Sequence, residues 1–234
     1  MRVIGGSTRL VALLGQPVAG SLSPRMQNAA FAARALDWAY LACEVAPEGL
    51  AAAVGGLVAL GFEGANVTAP HKEAAAELCD EAEGPAVNTL VFREGRVLGF
   101  NTDKAIVAGV EAERVCLIGA GGAAKALLSA LPGEVRLFSR RGAWPPDASD
   151  ADLIVNATPV RDELLVEPRA GQTVVDLAYR ADRSPTALVV AAREAGCEVV
   201  DGLEALVRQG AASFELWTGV RAPVDVMQAA VRSA

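Results

Sequence analysis

The sequence predicts an α/β protein of two lobes, an N-terminal open α/β lobe and a second lobe of Rossmann type. Three observations carry this. Apolar runs of strand length alternate with stretches of helical period along the whole chain, as parallel βαβ units require. Two such runs flank Glu94-Gly95 and read as a hairpin that closes the first series. A second series opens on Gly119-Ala120-Gly121-Gly122-Ala123-Ala124, a glycine turn set directly between an apolar strand and a helix. At 234 residues and 52% apolar, the chain can bury a core as one large domain or two small ones.

Taken in order, LVALLGQP (10–17) is a continuous apolar run and reads as a buried strand. SPRMQNAAFAARAL (23–36) has helical spacing and opens on Ser23-Pro24, an N-cap followed by the proline favoured at the first helical position. WAYLACEVA (38–46) is a strand, PEGLAAAVGGLVAL (47–60) a helix, and FEGANVTA (62–69) the third strand. Pro70 then opens a helix expected to reach about Ala82, ahead of the hairpin VNTLVFREGRVLGF (87–100). Thr102 is placed to cap a helix running to about Glu111, the expected bridge between lobes. VCLIGAGGAAKALLSAL (115–131) supplies strand, glycine turn and helix. Strands are expected at VRLFS (135–139), LIVNATP (153–159), TVVDLAY (173–179) and CEVVDG (197–202), with a helix through PTALVVAAREA (185–195). GAWPPDASDAD (142–152) is too short and too broken by proline to be one. The expected limits are residues 1–103 with 204–234 for the first domain and 104–203 for the second.

Composition narrows the function. The chain carries 28 Asp and Glu against 21 Lys and Arg, with no basic run and no aromatic platform, so nucleic acid is not an expected partner. No apolar stretch is long enough for a membrane span, and the N-terminal MRVIGGSTRL lacks the apolar core of a signal peptide, so a cytoplasmic protein is expected. Cys43, Cys79, Cys116 and Cys197 lie far apart in apolar surroundings and read as reduced core residues. No metal-ligating spacing is present.

The glycine turn sits where backbone amides approach a pyrophosphate, which points to a dinucleotide. The next strand ends in Ser139-Arg140-Arg141, where an NAD site would want an acid for the ribose hydroxyls. Two arginines there suit the 2′-phosphate of NADP, with a solvated basic loop as the plain alternative. Lys72 poses a separate question. It is one of only three lysines and lies in a first helical turn, facing the positive end of the helix dipole. Taken alone it reads as surface charge, and Asp103 as an ordinary acid near a helix start.

GQPVAGSLSP, GANVTAPHKEA, AVNTL, GFNTD, IGAGGAAKA, NATP and GLEALVRQGAASFELWTG together resemble the shikimate dehydrogenases in order and spacing, over residues 15 to 219. The resemblance implies reduction of 3-dehydroshikimate to shikimate by NADPH, in a cleft between a substrate lobe and a Rossmann lobe, with C-terminal helices returning to the first lobe. It implies Lys72 and Asp103 as the catalytic pair, placing a proton at the developing alkoxide. Ser21 and Ser23 are matched to the substrate carboxylate, with Ser23 alternatively only a cap. Asn66, Thr68 and Asn88 are matched to the ring hydroxyls, and Tyr179 and Gln209 to further substrate contacts. Cofactor contacts are implied at Gly119, Ala120, Gly121, Gly122, Ala123, Ser139, Arg140, Arg141, Asn156, Ala157, Thr158, Gly202 and Ala205. Ala205 stands nearest a family methionine expected beside the nicotinamide, and the helix usual after Arg141 is missing. His71, the single histidine, is given no role in the chemistry. A quinate or broad-specificity relative and a non-catalytic NADP sensor are the rival readings, and the expected assembly is a monomer or homodimer.

Overall fold

In the computed structural model, which describes residues 4–233, the first unit is built on a six-stranded sheet. Its strands are β1 (Arg9–Gly15), β2 (Trp38–Glu44), β3 (Gly64–Val67), β4 (Glu81–Ala82), β5 (Thr89–Arg93) and β6 (Arg96–Phe100), in the order β2-β1-β3-β5-β6-β4. β1 lies parallel to both β2 and β3, as its unbroken apolar run demands of a strand covered on both faces. β5 and β6 form the antiparallel hairpin, closed by Arg93 opposite Arg96. Glu94 and Gly95 take φ of 53° and 76°, the paired positive values of a type I′ turn.

Helices α1 (Ser23–Ala33), α2 (Leu50–Ala59) and α3 (Lys72–Glu77) connect these strands. Met26, Gln27, Ala30 and Phe31 form the buried face of α1. Of the last two helices, α6 (Gly202–Thr218) from Val207 onward and all of α7 (Val224–Arg232) complete the unit. Phe214 stacks on Phe31 at 5.3 Å, Gln27 Nε2 donates to the Gly210 carbonyl, and Trp217 Nε1 donates to the Leu90 carbonyl of β5. A Cβ at Gly210 would strike the Met26 side chain, so this glycine lets α6 approach α1 closely.

The second unit carries a five-stranded, all-parallel sheet of β7 (Arg114–Ile118), β8 (Glu134–Phe138), β9 (Leu153–Asn156), β10 (Thr173–Asp176) and β11 (Glu198–Val200). The order is β11-β10-β9-β7-β8, a doubly wound arrangement. Only α4 (Gly122–Leu128) and α5 (Ala187–Glu194) serve as crossover helices. No helix forms over residues 142–152. Ala148 and Ala151 of that loop are buried against Cys116, Phe138 and Ile154, on the face a helix would otherwise cover. Gln172 pins them, its Nε2 donating to both carbonyls at 2.9 and 2.7 Å. The two units comprise Met1–Thr102 with Val207–Ala234, and Asp103–Leu206. The chain ends 1–3 and 234, which the expected first domain includes, lie outside the described residues.

Four expectations need correction. The helix after Pro70 is six residues long and stops at Glu77, while 81–82 form β4. The open edge of β6 captures the chain: Asp80 exchanges bonds with Val97 through its N–H and its carboxylate, and Glu83 N–H donates to Gly99. Hydrogen bonding to a free strand edge outweighs helix propensity there. The segment after Thr102 is a 3-10 turn, Thr102–Ile106, because the Thr102 hydroxyl bonds Asn88 instead of capping and Gly109 turns at φ 78°. Leu22, not Ser23, holds the N-cap position of α1, and Ser23 begins the helix. Of the cysteines, all free, only Cys116 is fully in the core, with its thiol pushed up to about 12 by burial. No helix among the described residues is long and apolar enough to cross a membrane.

Candidate active site

In the first unit, the connection from β1 leads to β2 on one side, and the connection from β2 returns to β3 on the other. The carboxyl ends of β1 and β3 therefore flank a topological switch point, where open α/β sheets bind ligands. Gly15 ends β1, and a Cβ there would strike Thr68 Cγ2 and crowd Val18. The loop after β1 thus lies against the chain leaving β3, tied by Gln16 N–H to the Ala69 carbonyl at 3.1 Å. Ser21, half-buried, and Ser23, buried, lie on the first of these segments; Thr68 and Lys72, both half-buried, lie on the second. The Ser21 hydroxyl accepts from Ser23 N–H at 3.2 Å, so the upstream serine performs the capping-type contact. Lys72 is the first residue of α3, and its carbonyl accepts from Val87 N–H at 3.0 Å, joining it to the segment that carries Asn88 into β5. His71 is buried and donates through Nε2 to the Val45 carbonyl at 2.7 Å, a brace for the residue before Lys72.

Beneath these residues lies a polar cluster that sequence reading missed in part. Asn66 accepts from the Tyr40 hydroxyl at 2.8 Å, and its Nδ2 lies within 3.1 Å of the Asn88 carbonyl, Thr89 Oγ1 and Ser213 Oγ. Asn66 is therefore engaged inward on every polar atom. Asn88 Oδ1 accepts from Thr102 N–H at 2.8 Å and from the Thr102 hydroxyl at 3.0 Å. Ser213 Oγ donates to the Gln209 carbonyl at 3.1 Å, one helical turn away on α6. Thr89 and Ser213 were legible in principle: Thr89 follows Asn88 directly and heads the apolar run Leu90–Phe92, and Ser213 shares the face of Gln209 by i, i+4 spacing. Asp103, buried at 6% exposure, follows Thr102 in the 3-10 turn.

The second unit has its own switch point, between β7 and β9. Gly119 follows β7 at φ 116°, and a Cβ there would lie 3.0 Å from the Ala157 carbonyl oxygen, so backbone angle and crowding both favour glycine. Ala120 and Gly121 are exposed, Gly122 and Ala123 open α4, and nothing stands within 4 Å of a Cβ at Gly121. Backbone can thus approach a phosphate closely at this turn. Asn156 is buried, and its Oδ1 accepts from the N–H and hydroxyl of Thr158, shaping the Ala157-Thr158 turn from within. Asn156 Nδ2 donates to Asp176 Oδ1, whose other oxygen accepts from Thr186. Asp176 is fully buried, and that burial holds its carboxyl above the usual carboxylate range against these hydrogen bonds.

Arg140 and Arg141 leave β8 exposed, with no acid at that position, so the site fits a dinucleotide bearing a 2′-phosphate. Ser139 N–H bonds the Ala143 carbonyl and closes a tight loop. Arg140 lies over the Trp144 ring at 5.5 Å and pairs with Glu163 at 3.3 Å. Tyr179, half-buried, follows β10, and Gly202 packs against Ala178 and Tyr179 so closely that a Cβ would strike the Ala178 carbonyl. Ala205 is buried in the apolar core cluster with Val200 and Val175, the same cluster against which Ala157 packs.

Two α/β units, one with a glycine turn at a parallel switch point and the other with a polar, lysine-bearing switch point, define a two-domain nicotinamide-dependent oxidoreductase. Residues 13–90 match the shikimate dehydrogenase substrate binding domain, and 202–232 the shikimate 5′-dehydrogenase C-terminal domain. The shikimate dehydrogenase (NADP(+)) of Moorella thermoacetica is 40% identical over 282 aligned positions, covering 99% of this chain and 95% of that protein. The chain belongs to the shikimate dehydrogenase family. The solved shikimate 5-dehydrogenase of Thermus thermophilus, in complex with NADP(H) and shikimate, is 33% identical with a TM-score of 0.83, covering 96% of this chain and 99% of that one. A quinate dehydrogenase from Corynebacterium glutamicum, in complex with NAD, is 25% identical with a TM-score of 0.81, covering 97% and 99%.

Proposed function

We propose that this chain catalyses the reversible reduction of 3-dehydroshikimate to shikimate, consuming NADPH and one proton and releasing NADP+. The observation that carries the reading is the gathering of Ser21, Ser23, Thr68, Lys72 and Asn88 on adjoining segments of one unit, in a chain that also holds the Gly119–Gly122 turn. NADPH, when bound, supplies the hydride. The Gly119-Ala120-Gly121-Gly122-Ala123 backbone and the Ala157-Thr158 turn set by Asn156 hold its pyrophosphate side. Ser139, Arg140 and Arg141 receive the ribose phosphate, and Gly202 and Ala205 complete the cofactor set.

Ser21 and Ser23 bind the substrate carboxylate, assisted by Tyr179, while Thr68, Asn88 and Gln209 read its ring oxygens. Asn66 acts by positioning, since its polar atoms bond inward. Lys72 and Asp103 handle the proton at the oxygen that changes between carbonyl and alcohol. Neither of the two is singled out as the formal acid. The test is Lys72→Ala: turnover falls about 100-fold or more with little change in substrate affinity. Near-normal turnover would remove Lys72 from the chemistry.

Quinate is the second substrate class to compare, motivated by the likeness to a quinate dehydrogenase. The reaction belongs to aromatic amino-acid biosynthesis. Four unpaired cysteines accord with a reducing compartment, the cytoplasm. The assembly is a monomer or homodimer.

A further inference from the structure

We infer that Trp144 is a positioning residue of the cofactor site, whose indole ring holds the Arg140 guanidinium in place for the 2′-phosphate and so sharpens the choice of NADP over NAD. The inference rests on the cofactor reading above. Of the three tryptophans, Trp38 and Trp217 are buried, whereas Trp144 is 39% exposed on the loop after β8. That ring is not core: the partner it meets is the Arg140 guanidinium, 5.5 Å from its centroid. The loop itself makes the meeting. Gly142 N–H donates to the Ser139 carbonyl at 2.9 Å and Ser139 N–H to the Ala143 carbonyl at 3.0 Å, a reversal that returns residue 144 to the strand end from which Arg140 leaves. Pro145 and Pro146 follow, and their fixed φ limits the backbone beyond the ring.

This arrangement restrains the guanidinium in space while leaving it open in bonding. A cation within about 6 Å of an indole centroid is drawn to the ring face, so the ring limits the rotamers of a long side chain without consuming a hydrogen-bond donor. Glu163 Oε2 takes one Nη2 proton at 3.3 Å, and as a single contact between exposed groups it is a weak hold. Nε and Nη1 have no partner among the described residues, so most of the five N–H groups of the guanidinium remain to fork onto a phosphate. An arginine already restrained loses less freedom on binding, and that smaller loss appears as affinity. Only a cofactor carrying the 2′-phosphate engages this fork, so NAD gains nothing from the ring.

Substitutions at one position separate the aromatic face from bulk. Trp144→Leu keeps an apolar side chain and removes the ring; Trp144→Phe keeps an aromatic face. Calorimetric Kd for NADP+ is expected to rise about three- to fivefold in Trp144→Leu and to stay within about twofold of wild type in Trp144→Phe, while Kd for NAD+ moves in neither. In an Arg140→Ala background, Trp144→Leu should add nothing further. Leucine retaining wild-type affinity for NADP+, phenylalanine harming it as much as leucine, or a full leucine effect without Arg140 would overturn the inference. So would equal losses for NADP+ and NAD+, which would set the ring against the adenine instead. Should the leucine variant not fold, Trp144→Gln, a polar substitute suited to an exposed loop, carries the same expectation and the same refutation. Wild-type protein that binds NADP+ no more tightly than NAD+ overturns the 2′-phosphate reading itself, before any variant is compared.

Discussion

Arg140 leaves β8 two residues after Phe138, whose carbonyl accepts from Gly119 N–H, so the arginine stands beside the glycine turn by backbone connection alone. Its pairing with Glu163 is between groups 67% and 62% exposed, and exposed pairs contribute little to stability. Arg140→Ala should accordingly leave the melting temperature nearly unchanged while weakening NADP binding about 10- to 100-fold and sparing NAD. Titrating both cofactors against both proteins checks it, and equal losses would assign Arg140 to adenine or to the fold. Asp176 offers a second test at this scale. Burial raises its folded pKa above the unfolded value, near 4, so its contribution to stability is complete below that pH. It is then lost as pH rises through the raised value. Denaturation of Asp176→Asn between pH 4 and 7 should lack this decline, and a mutant with the wild-type slope would refute the assignment. The places of the glycine turn between β7 and α4 and of the arginine pair after β8 were legible because motif and spacing mark them, whereas Lys72 by itself read as surface charge. The inward bonding of Asn66 and Asn156 was not legible, since an asparagine in a motif gives no sign of which side its amide faces.

Among the elements, strands with continuous apolar runs and the Glu94-Gly95 hairpin were read at their true places, because burial on both faces and paired positive φ leave strong sequence marks. The helices after Pro70 and Thr102 were read too long. Their ends are decided by a free edge on β6 and by a hydroxyl bonded elsewhere, neither of which local periodicity carries. The loop over residues 142–152 was rightly read as too broken for a helix, but how the sheet face is covered became clear only from Ala148, Ala151 and Gln172. Gln172 also accepts from Arg169 N–H at 2.7 Å, so its amide holds two loops. Gln172→Ala should cost about 1 to 3 kcal/mol by leaving buried carbonyls without a donor, measured by urea denaturation. A loss below about 0.5 kcal/mol would mean that the loop is held by its alanines alone.

For the molecule as a whole, alignment with the Moorella relative spans more positions than this chain has residues, so this chain is the more economical of the two. Both switch points survive that economy, since each depends on strand order and on one glycine against a neighbouring turn: Gly15 with Thr68, and Gly119 with Ala157. The central claim is that these two sites together oxidise and reduce one substrate pair with one cofactor. Initial rates of cofactor reduction by the purified chain, with shikimate and quinate each offered NADP and NAD, test it most directly. Shikimate with NADP should exceed every other combination in kcat/KM, by at least about tenfold over shikimate with NAD. Absence of NADP reduction with shikimate, or quinate turned over as efficiently, would contradict the account.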